Sequence, residues 1–530
     1  MAGADHILIY DTTLRDGTQG EGISFSAEDK IRLANLMDDF GIDYIEGGWP
    51  GSNPRDMEFF RLAKDLDLKH AKLAAFGSTR RASLSVEQDP QLQQLIEAGT
   101  PVITVFGKSW TLHVTDVLFT SLEENLSMIK ESVSFLKQAD KEVIYDAEHF
   151  FDGYKDNPEY ALQTLRAAKD GGADFLVLCD TNGGTQLKEF EAIVKKVIAE
   201  IGQVPIGVHC HNDSGLGVAL SLLGIESGAR MVQGTVNGYG ERVGNANLTT
   251  ILPNLTLKLN YHLTCSEHVS GLRSFSQFFD KMANIPSDLK QPFVGDSAFA
   301  HKGGVHANAA KKVARSYEHI RPEMVGNKQR ILLSDMSGAS SVAIKARQMG
   351  IGLKEKSPEM RSFLQKIKEL ESRGYEFEHA DASFLVLLYQ HFHDLKDDFN
   401  LVSYRTISEV VRDSDINISE AVVKLQVDNN PEVRMTISES TGPVGALDHA
   451  MRKAFEEHYP TLGSVDLIDY KVRITQTGLG IDSIVQVLMK SGDGDETWWT
   501  CAADPSIIEA SYQALCDSFR YKLIKENLAT

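Results

Sequence analysis

The chain has 530 residues, with 42% hydrophobic and 24% charged side chains and a formal net charge of −20. This length exceeds one ordinary domain, so we expect two or three. The negative charge disfavours nucleic acid and anionic membranes as partners, because phosphate groups bind basic surfaces. The five cysteines are scattered without a CxxC pair, and no stretch is apolar enough to span a bilayer. We therefore expect a soluble cytoplasmic protein without disulfides.

The first half of the chain alternates short apolar runs with longer helical patterns. One helical segment has Ser26 placed to cap its start and Gly41 placed to end it. Eight strand–helix units predict an α/β fold with a (β/α)8 TIM barrel, although a doubly wound open sheet would show the same periodicity. The runs are 6–11, 42–48, 72–77, 101–107, 142–148, 174–180, 204–211 and 231–237.

Polar residues stand at or just beyond the ends of nearly all these runs. In a TIM barrel the carboxyl ends of the strands converge on one face, and the active sites of this fold lie there. This placement favours the closed barrel over the open sheet and predicts a polar site at that face. The residues are Asp11, Glu46, Asp146, Glu148, Asp180, Thr181, His209, His211 and Asn237.

The second half of the chain has a different pattern. It is helical and polar from about residue 260, and alternation typical of antiparallel strands returns around Phe399. We predict a barrel over 1–275, helical subdomains over 276–395 and an α+β domain over 396–530.

A candidate metal site comes from the segment VHCHND. Side chains alternate along a strand, so His209 and His211 share one face while Cys210 points the other way. Asp16 follows the first strand, and barrel closure brings that strand close to the seventh. One carboxylate and two imidazoles leave positions open for substrate, as a catalytic metal site requires. The alternative is a pair of hydrogen-bonded polar histidines.

Other candidates have weaker signals. Arg15 could stabilise an oxyanion or form a salt bridge between loops. Glu148 could order a water molecule or pair with a neighbour at the barrel end. The glycine-rich segment NGYGERVGNANL lacks the features of a phosphate loop but could bring Asn245 to the metal. His301 and His306 lie in a glycine-rich loop, where histidines are more often exposed than catalytic.

Five segments carry a resemblance to a known family: DTTLRDGTQ, CDTNGG, HCHND, GYGERVGNA and HKGGVHANA. They resemble, in the same order, motifs of the 2-isopropylmalate, homocitrate and citramalate synthases, barrel enzymes of the DRE-TIM metallolyase superfamily. The resemblance covers essentially the whole chain, and the segment TGPVGALDHAM is similar to the regulatory domain of those synthases. It implies that the helical subdomains complete the active site and that the last domain is regulatory.

The resemblance also implies a ligand set for a divalent metal, which would be Mg, Mn or Zn. Asp16, His209 and His211 would be the ligands, with Asn245 as a fourth. Acetyl-CoA would be the co-substrate, joined to a 2-keto acid in a Claisen condensation.

Catalytic roles follow from the same resemblance. Arg15 would stabilise the alkoxide, Thr181 would hold the substrate carboxylate, and Glu148 would help to position substrate or base. His306 would help to remove a proton from the acetyl methyl group, with Tyr317 reaching across from the partner subunit. These roles imply a homodimer. Asp146 and Trp49 are further candidates for substrate contact.

The keto acid is indicated by smaller sequence differences. The segments GGWPGSNPRD and YDAEHFFDGY are most similar to the members of the family that use pyruvate. Trp49 could shrink the acyl pocket enough to exclude 2-ketoisovalerate, or it could pack under a loop. Pyruvate implies isoleucine as the effector of the last domain, whereas the 2-isopropylmalate alternative implies leucine.

Two other classes of function are alternatives. A hydroxymethylglutaryl-CoA lyase shares the barrel, but such lyases resemble the barrel portion alone. A non-catalytic amino-acid sensor would not need Arg15, Asp16, His209, His211 and Glu148 together.

Overall fold

Eight parallel strands form a closed barrel, in the order β1 to β8 around the ring. The ring closes where β8 pairs with β1, with Leu8 beside Met231 and Asp11 beside Gly234. The TIM barrel prediction is confirmed, and the open sheet is excluded. The strands are β1 Leu8–Asp11, β2 Tyr44–Gly48, β3 Lys72–Ser78, β4 Val102–Lys108, β5 Glu142–Glu148, β6 Phe175–Asp180, β7 Ile206–Cys210 and β8 Met231–Gly234.

The computed structural model describes residues 6–52, 54–301, 316–332, 339–392, 399–411, 416–427, 432–475 and 483–529. These residues divide into two units. The first contains the barrel and extends to Phe299, together with Ile320–Lys328. The second contains the remaining described residues. Within the described residues, no helix is both long and apolar enough to cross a bilayer.

Helices cover the outside of the barrel. The first begins at a capping box, in which the Ser26 hydroxyl accepts the N–H of Asp29, and ends at Gly41 with a left-handed φ of 90°. Both helix-end predictions are confirmed. The helices are α1 Ala27–Phe40, α2 Pro54–Ala63, α3 Pro90–Glu97, α4 Thr111–Asp116, α5 Leu122–Gln138, α6 Phe150–Asp156, α7 Pro158–Gly171, α8 Leu187–Ile201, α9 Gly217–Glu226, α10 Leu248–Leu257 and α11 Leu272–Met282.

The barrel interior is filled by alternate residues of the strands. The part nearer the amino ends of the strands is apolar, and one cluster there includes Ala74, Ile144 and Met231. Above it the Tyr10 hydroxyl on β1 donates to Glu46 at 2.8 Å and shares a hydrogen bond of 2.7 Å with Thr104 on β4. Because β1 and β4 are not neighbours in the ring, this contact crosses the interior. Polar side chains therefore face inward in the layers nearest the carboxyl ends of the strands.

The second unit contains helices and two three-stranded antiparallel sheets, ordered β11-β12-β13 and β14-β15-β16. Each sheet packs against a helix, and Leu425, Phe455, Val487 and Phe519 belong to their shared apolar core. The predicted α+β character of this region is confirmed. The elements are β9 Ala300–His301, β10 Arg330–Ile331, α12 Ala339–Gln348, α13 Pro358–Ser372, α14 Asp381–Phe392, β11 Phe399–Val411, β12 Ile416–Val427, β13 Arg434–Ser440, α15 Pro443–Phe455, β14 Asp466–Ile474, β15 Val485–Gly492, β16 Thr497–Asp504 and α16 Ile507–Ala529.

Candidate active site

Asp16, His209 and His211 come together at the carboxyl ends of the strands. One potential ligand atom from each side chain lies within 4.8 Å of the others, and all three residues are buried. The His209 Nε2 is 3.5 Å from the Asp16 carboxylate. Cys210, between the two histidines, is buried in the core between barrel and helices. This is the arrangement that strand periodicity and barrel closure predict.

Two orphaned polar atoms show that these residues fit a cation. Within the described part of the chain, the buried His211 Nδ1 and Asn245 Oδ1 have no hydrogen-bond partner. The two residues are joined by a β-bridge, and the Asn245 amide donates to the carbonyl of Tyr239 at 3.0 Å. A buried polar atom without a partner costs free energy, and coordination of a metal ion is one way to offset that cost.

The orientation of His209 is set by a residue on the neighbouring strand β8. The His209 Nδ1 lies 2.7 Å from the side-chain oxygen of Gln233, and the Gln233 amide donates to Asp146 at 3.0 Å. An amide that donates to a carboxylate presents its oxygen to the imidazole, so Nδ1 carries the proton. The lone pair of Nε2 therefore faces Asp16, where a metal would bind.

Arg15 is held by two carboxylates and an aromatic ring. Its Nε donates to Glu46 at 2.6 Å, a second nitrogen lies 3.2 Å from Asp16, and its guanidinium is 3.7 Å from the centroid of the Phe76 ring. Burial opposes the charge of Arg15, but Glu46 and Asp16 raise its pKa above the ordinary value. Burial likewise disfavours ionised Asp16, yet Arg15 and His209 hold the Asp16 pKa well below its usual range. The pair therefore stays charged.

A cavity of about 220 Å³ opens in front of these residues. Asp146 and Thr181 line its polar side. Burial and the nearby Glu46 raise the pKa of Asp146 to about 7. The Thr181 hydroxyl oxygen accepts the N–H of His149 at 2.9 Å, so its own proton is available to a ligand. Glu148 also lines the cavity and pairs with Lys108.

Three aromatic rings line the same cavity. Trp49 stands edge-on to Phe76 and Phe106, with ring centroids 5.8 and 5.5 Å away. Phe76 and Phe106 stack at 5.4 Å. Trp49 therefore faces the cavity rather than only packing under a loop. Trp49, Phe76 and Phe106 together form an aromatic wall, which leaves limited room in the cavity beside its polar side chains.

The structure brings most of the predicted site residues into one place. Asn245 adjoins the cavity through His211, whereas Tyr317 belongs to the second unit and is 43% exposed, and its role stays a prediction. His306 lies outside the described residues, and its role also stays a prediction. The predicted residues that line the cavity are Arg15, Asp16, Trp49, Asp146, Glu148, Thr181, His209 and His211.

Several polar residues at strand ends make structural hydrogen bonds instead. Asp11 accepts the N–H and O–H of Thr13, and Asp180 accepts the hydroxyl of Thr185. Asn237 donates to Asp280 at 2.7 Å. Asp11 and Asp180 stabilise their local turns, Asn237 joins the loop after β8 to α11, and none of the three lines the cavity.

Sequence reasoning missed Gln233, Cys179 and the two phenylalanines of the cavity wall. Gln233 is a lone polar residue in an apolar strand, and that signal was available. Cys179 lines the cavity, and burial raises the pKa of its thiol well above the ordinary value, so the thiol is neutral. Phe76 and Phe106 look like ordinary core residues in the sequence, so no signal distinguished them.

The closed barrel and this site define an HMGL-like barrel protein, and the family model described as HMGL-like matches residues 6–272. A homocitrate synthase post-HMGL domain-like model matches residues 293–375, and a LeuA allosteric (dimerisation) domain model matches 378–523. The chain is 53% identical to the (R)-citramalate synthase of Aquifex aeolicus, over 99% of both chains. It is 49% identical to that of Geobacter sulfurreducens, over 98% of both.

A 2-isopropylmalate synthase from Methanocaldococcus jannaschii is more distant, at 30% identity over 98% of this chain and 95% of that protein. The chain belongs to the (R)-citramalate synthase family, within the HMGL-like barrel enzymes.

Proposed function

We propose that the chain condenses acetyl-CoA with pyruvate and hydrolyses the product to (R)-citramalate and CoA. The observation that carries this proposal is the cavity. It has Asp16, His209, His211 and Arg15 on one side and an aromatic wall on the other. Such a cavity fits a small anionic keto acid with a short apolar side chain. Full-length identity of 53% to a relative of that name supports the same activity.

We propose Asp16, His209 and His211 as ligands of a divalent metal, with Asn245 beside them. Bound there, Mg, Mn or Zn would polarise the ketone of the keto acid and offset the negative charge that forms on its oxygen.

The chain's own residues bind and orient the keto acid. Arg15 is fixed by Glu46 and Asp16, so its guanidinium is already in place for the developing oxyanion and no reorganisation is needed. The Thr181 hydroxyl donates its free proton to the substrate carboxylate. The wall formed by Trp49, Phe76 and Phe106 excludes water from the apolar side.

The reaction begins with loss of a proton from the acetyl methyl group. The resulting carbanion forms a bond to the ketone carbon, the carbonyl electron pair moves to oxygen, and that oxygen takes up a proton. Water then cleaves the thioester, giving a carboxylate and the CoA thiol. Glu148 would position the reacting groups, held in its turn by Lys108. His306 and Tyr317 are proposed, from the family resemblance alone, as the base and its companion.

A two-substrate assay tests the proposal. Purified enzyme with Mn²⁺ and acetyl-CoA is given pyruvate or 2-ketoisovalerate, and the free CoA thiol is followed. We expect a clear preference for pyruvate and (R)-citramalate as the product. Faster turnover of 2-ketoisovalerate would instead support a 2-isopropylmalate synthase. No thiol release with any keto acid would favour a lyase or a sensor.

The second unit is proposed to be regulatory. Its match to a LeuA allosteric (dimerisation) domain supports a homodimer, and isoleucine is the effector expected of a pyruvate-using enzyme. We also propose that the chain divides into three parts, 1–275, 276–395 and 396–530. A cytoplasmic location is proposed as well. Isoleucine, with leucine as the comparison, should lower the rate of thiol release.

A further inference from the structure

A buried ion pair joins α1 to α2 beside the cavity. The Lys30 ammonium lies 2.7 Å from the Asp56 carboxylate, and the two residues are only 2% and 6% exposed. The same ammonium donates to the carbonyl of Gly47 at 2.9 Å. Charges so deeply buried carry a large desolvation cost, so this pair does little for stability by itself.

The second oxygen of Asp56 connects the pair to Trp49. It accepts the backbone N–H of Trp49 at 2.8 Å. The carboxylate lies directly against Gly48, where a Cβ would come within 2.5 Å of the Asp56 Cγ, and where φ is +154°. Only glycine allows this approach. Lys30 and Asp56 therefore hold the end of β2 through the carbonyl of Gly47 and the N–H of Trp49.

Trp49 lines two neighbouring cavities. One is the 220 Å³ cavity of the site, and the other is a neighbouring cavity of about 460 Å³. Both are lined by Arg15, Gln19 and Trp49, and Lys30 and Asp56 line the larger one. An indole that moved toward the larger cavity would widen the smaller one, next to the place where a keto acid side chain would lie.

We propose that Lys30 and Asp56 are positioning residues that hold Trp49 as a fixed wall and so limit the size of the keto acid side chain. This inference rests on the proposed function. Neither residue lines the cavity of the site. Asp56 acts through the backbone N–H of Trp49, and Lys30 acts through Asp56 and the carbonyl of Gly47.

The test compares pyruvate with 2-ketobutyrate and 2-ketoisovalerate in the double variant Lys30→Met, Asp56→Leu. Apolar side chains of similar shape avoid leaving one charge buried alone, so the barrel should fold. Releasing the wall should shift the ratio of kcat/KM toward the larger keto acids by roughly tenfold or more, the effect of one methylene in a well-fitted pocket. The loss for pyruvate should fall mainly on KM. The double variant Lys30→Met, Asp56→Asn, which keeps the shape of Asp56 and one acceptor for the N–H of Trp49, should show a smaller shift in the same direction.

A matched control is Asp38→Asn. Asp38 is also a buried aspartate that accepts backbone N–H groups, from Lys69, His70 and Ala71 at 2.7 to 2.8 Å. It holds the loop before β3, at the opposite end of the barrel. This variant should lose stability while keeping the wild-type selectivity.

Acrylamide quenching of Trp49 gives a readout independent of turnover. It is taken as the difference between each protein and its Trp49→Phe counterpart. Quenching should rise in the double variant and stay at the wild-type level in Asp38→Asn. If the Lys30→Met, Asp56→Leu variant is folded and shows unchanged quenching and unchanged selectivity, the inference is overturned. A wild-type enzyme inactive with every keto acid would overturn the proposed function, while the quenching would still decide the role of the pair.

Discussion

The Nδ1 of His209 lies 2.7 Å from the side-chain oxygen of Gln233. Because the Gln233 amide group donates to Asp146 in turn, its orientation is fixed, and the imidazole presents Nε2 toward Asp16. Gln233 thus selects the tautomer of a proposed metal ligand without reaching the metal itself.

Replacing Gln233 by Leu should weaken metal binding about 10- to 100-fold, the usual effect of losing a group that orients a ligand. Titration of the metal-free protein with Mn²⁺ by calorimetry measures this directly. Gln291→Leu is the control, because Gln291 is a buried glutamine that donates to Asn237 and Thr249. Equal affinities in the Gln233 variant and the wild type would show that the imidazole needs no such support.

Arg15→Lys should reduce kcat by roughly 100-fold. A lysine ammonium lacks the planar set of N–H donors of a guanidinium, so it cannot contact Glu46 and Asp16 and also donate to a developing oxyanion. KM for acetyl-CoA should change little. Arg80→Lys is a suitable comparison, since Arg80 is a buried arginine that pairs with Glu124 and Glu131 and does not line the cavity. A similar loss of kcat in both variants would point to a structural effect.

Thr181→Val should raise KM for pyruvate roughly tenfold or more, since a hydrogen bond to a charged group is removed at almost constant volume. The control lies in the same loop: Thr185→Val removes a hydroxyl that donates to Asp180 instead. Initial rates at varied pyruvate separate the two variants. An unchanged KM in Thr181→Val would mean that the carboxylate binds elsewhere.

Asp11 should make stability depend on pH. Burial is the main cause that raises the pKa of its carboxyl from 3.8 to about 7 in the folded protein. The folded state therefore binds the proton more tightly than the unfolded state does. The stabilisation that comes from protonated Asp11 is complete below about pH 4 and is lost as the pH rises through 7.

The matching measurement is urea unfolding of the metal-free protein at pH 5 and pH 8. The wild type should lose more stability over this interval than Asp11→Asn, whose side chain does not ionise. Parallel losses in the two proteins would show that Asp11 ionises normally.

The barrel and the metal cluster were predictable because both rest on local periodicity. Alternation in VHCHND places His209 and His211 on one face, and closure of eight strands brings Asp16 to them. The same alternation distinguishes Asp11 and Asp180 from the site, since each follows an inward-facing residue, Tyr10 or Cys179, and so points outward.

Contacts between side chains of different strands and helices were not predictable in the same way. Gln233 on β8 meets His209 on the adjacent strand β7, whereas its bond to Asp146 on β5 joins strands that are not neighbours, and no spacing in the sequence indicates that second contact. Lys30 and Asp56 each look like a solvated helix residue, and only the packing of two helices shows that they are buried together. The aromatic wall comes from the consecutive strands β2, β3 and β4, but nothing in the local sequence of Phe76 and Phe106 distinguishes them from ordinary core residues.

The most direct test of the metal site is thiol release from acetyl-CoA and pyruvate after chelation, followed by addition of Mn²⁺, in the wild type and in Asp16→Asn. Chelation should abolish turnover, and Mn²⁺ should restore it in the wild type. The folded Asp16 variant should stay at least about 100-fold slower, since loss of a ligand should cost no less than loss of a group that orients one. Turnover that survives chelation, or that is unchanged in Asp16→Asn, would contradict a metal site at Asp16, His209 and His211.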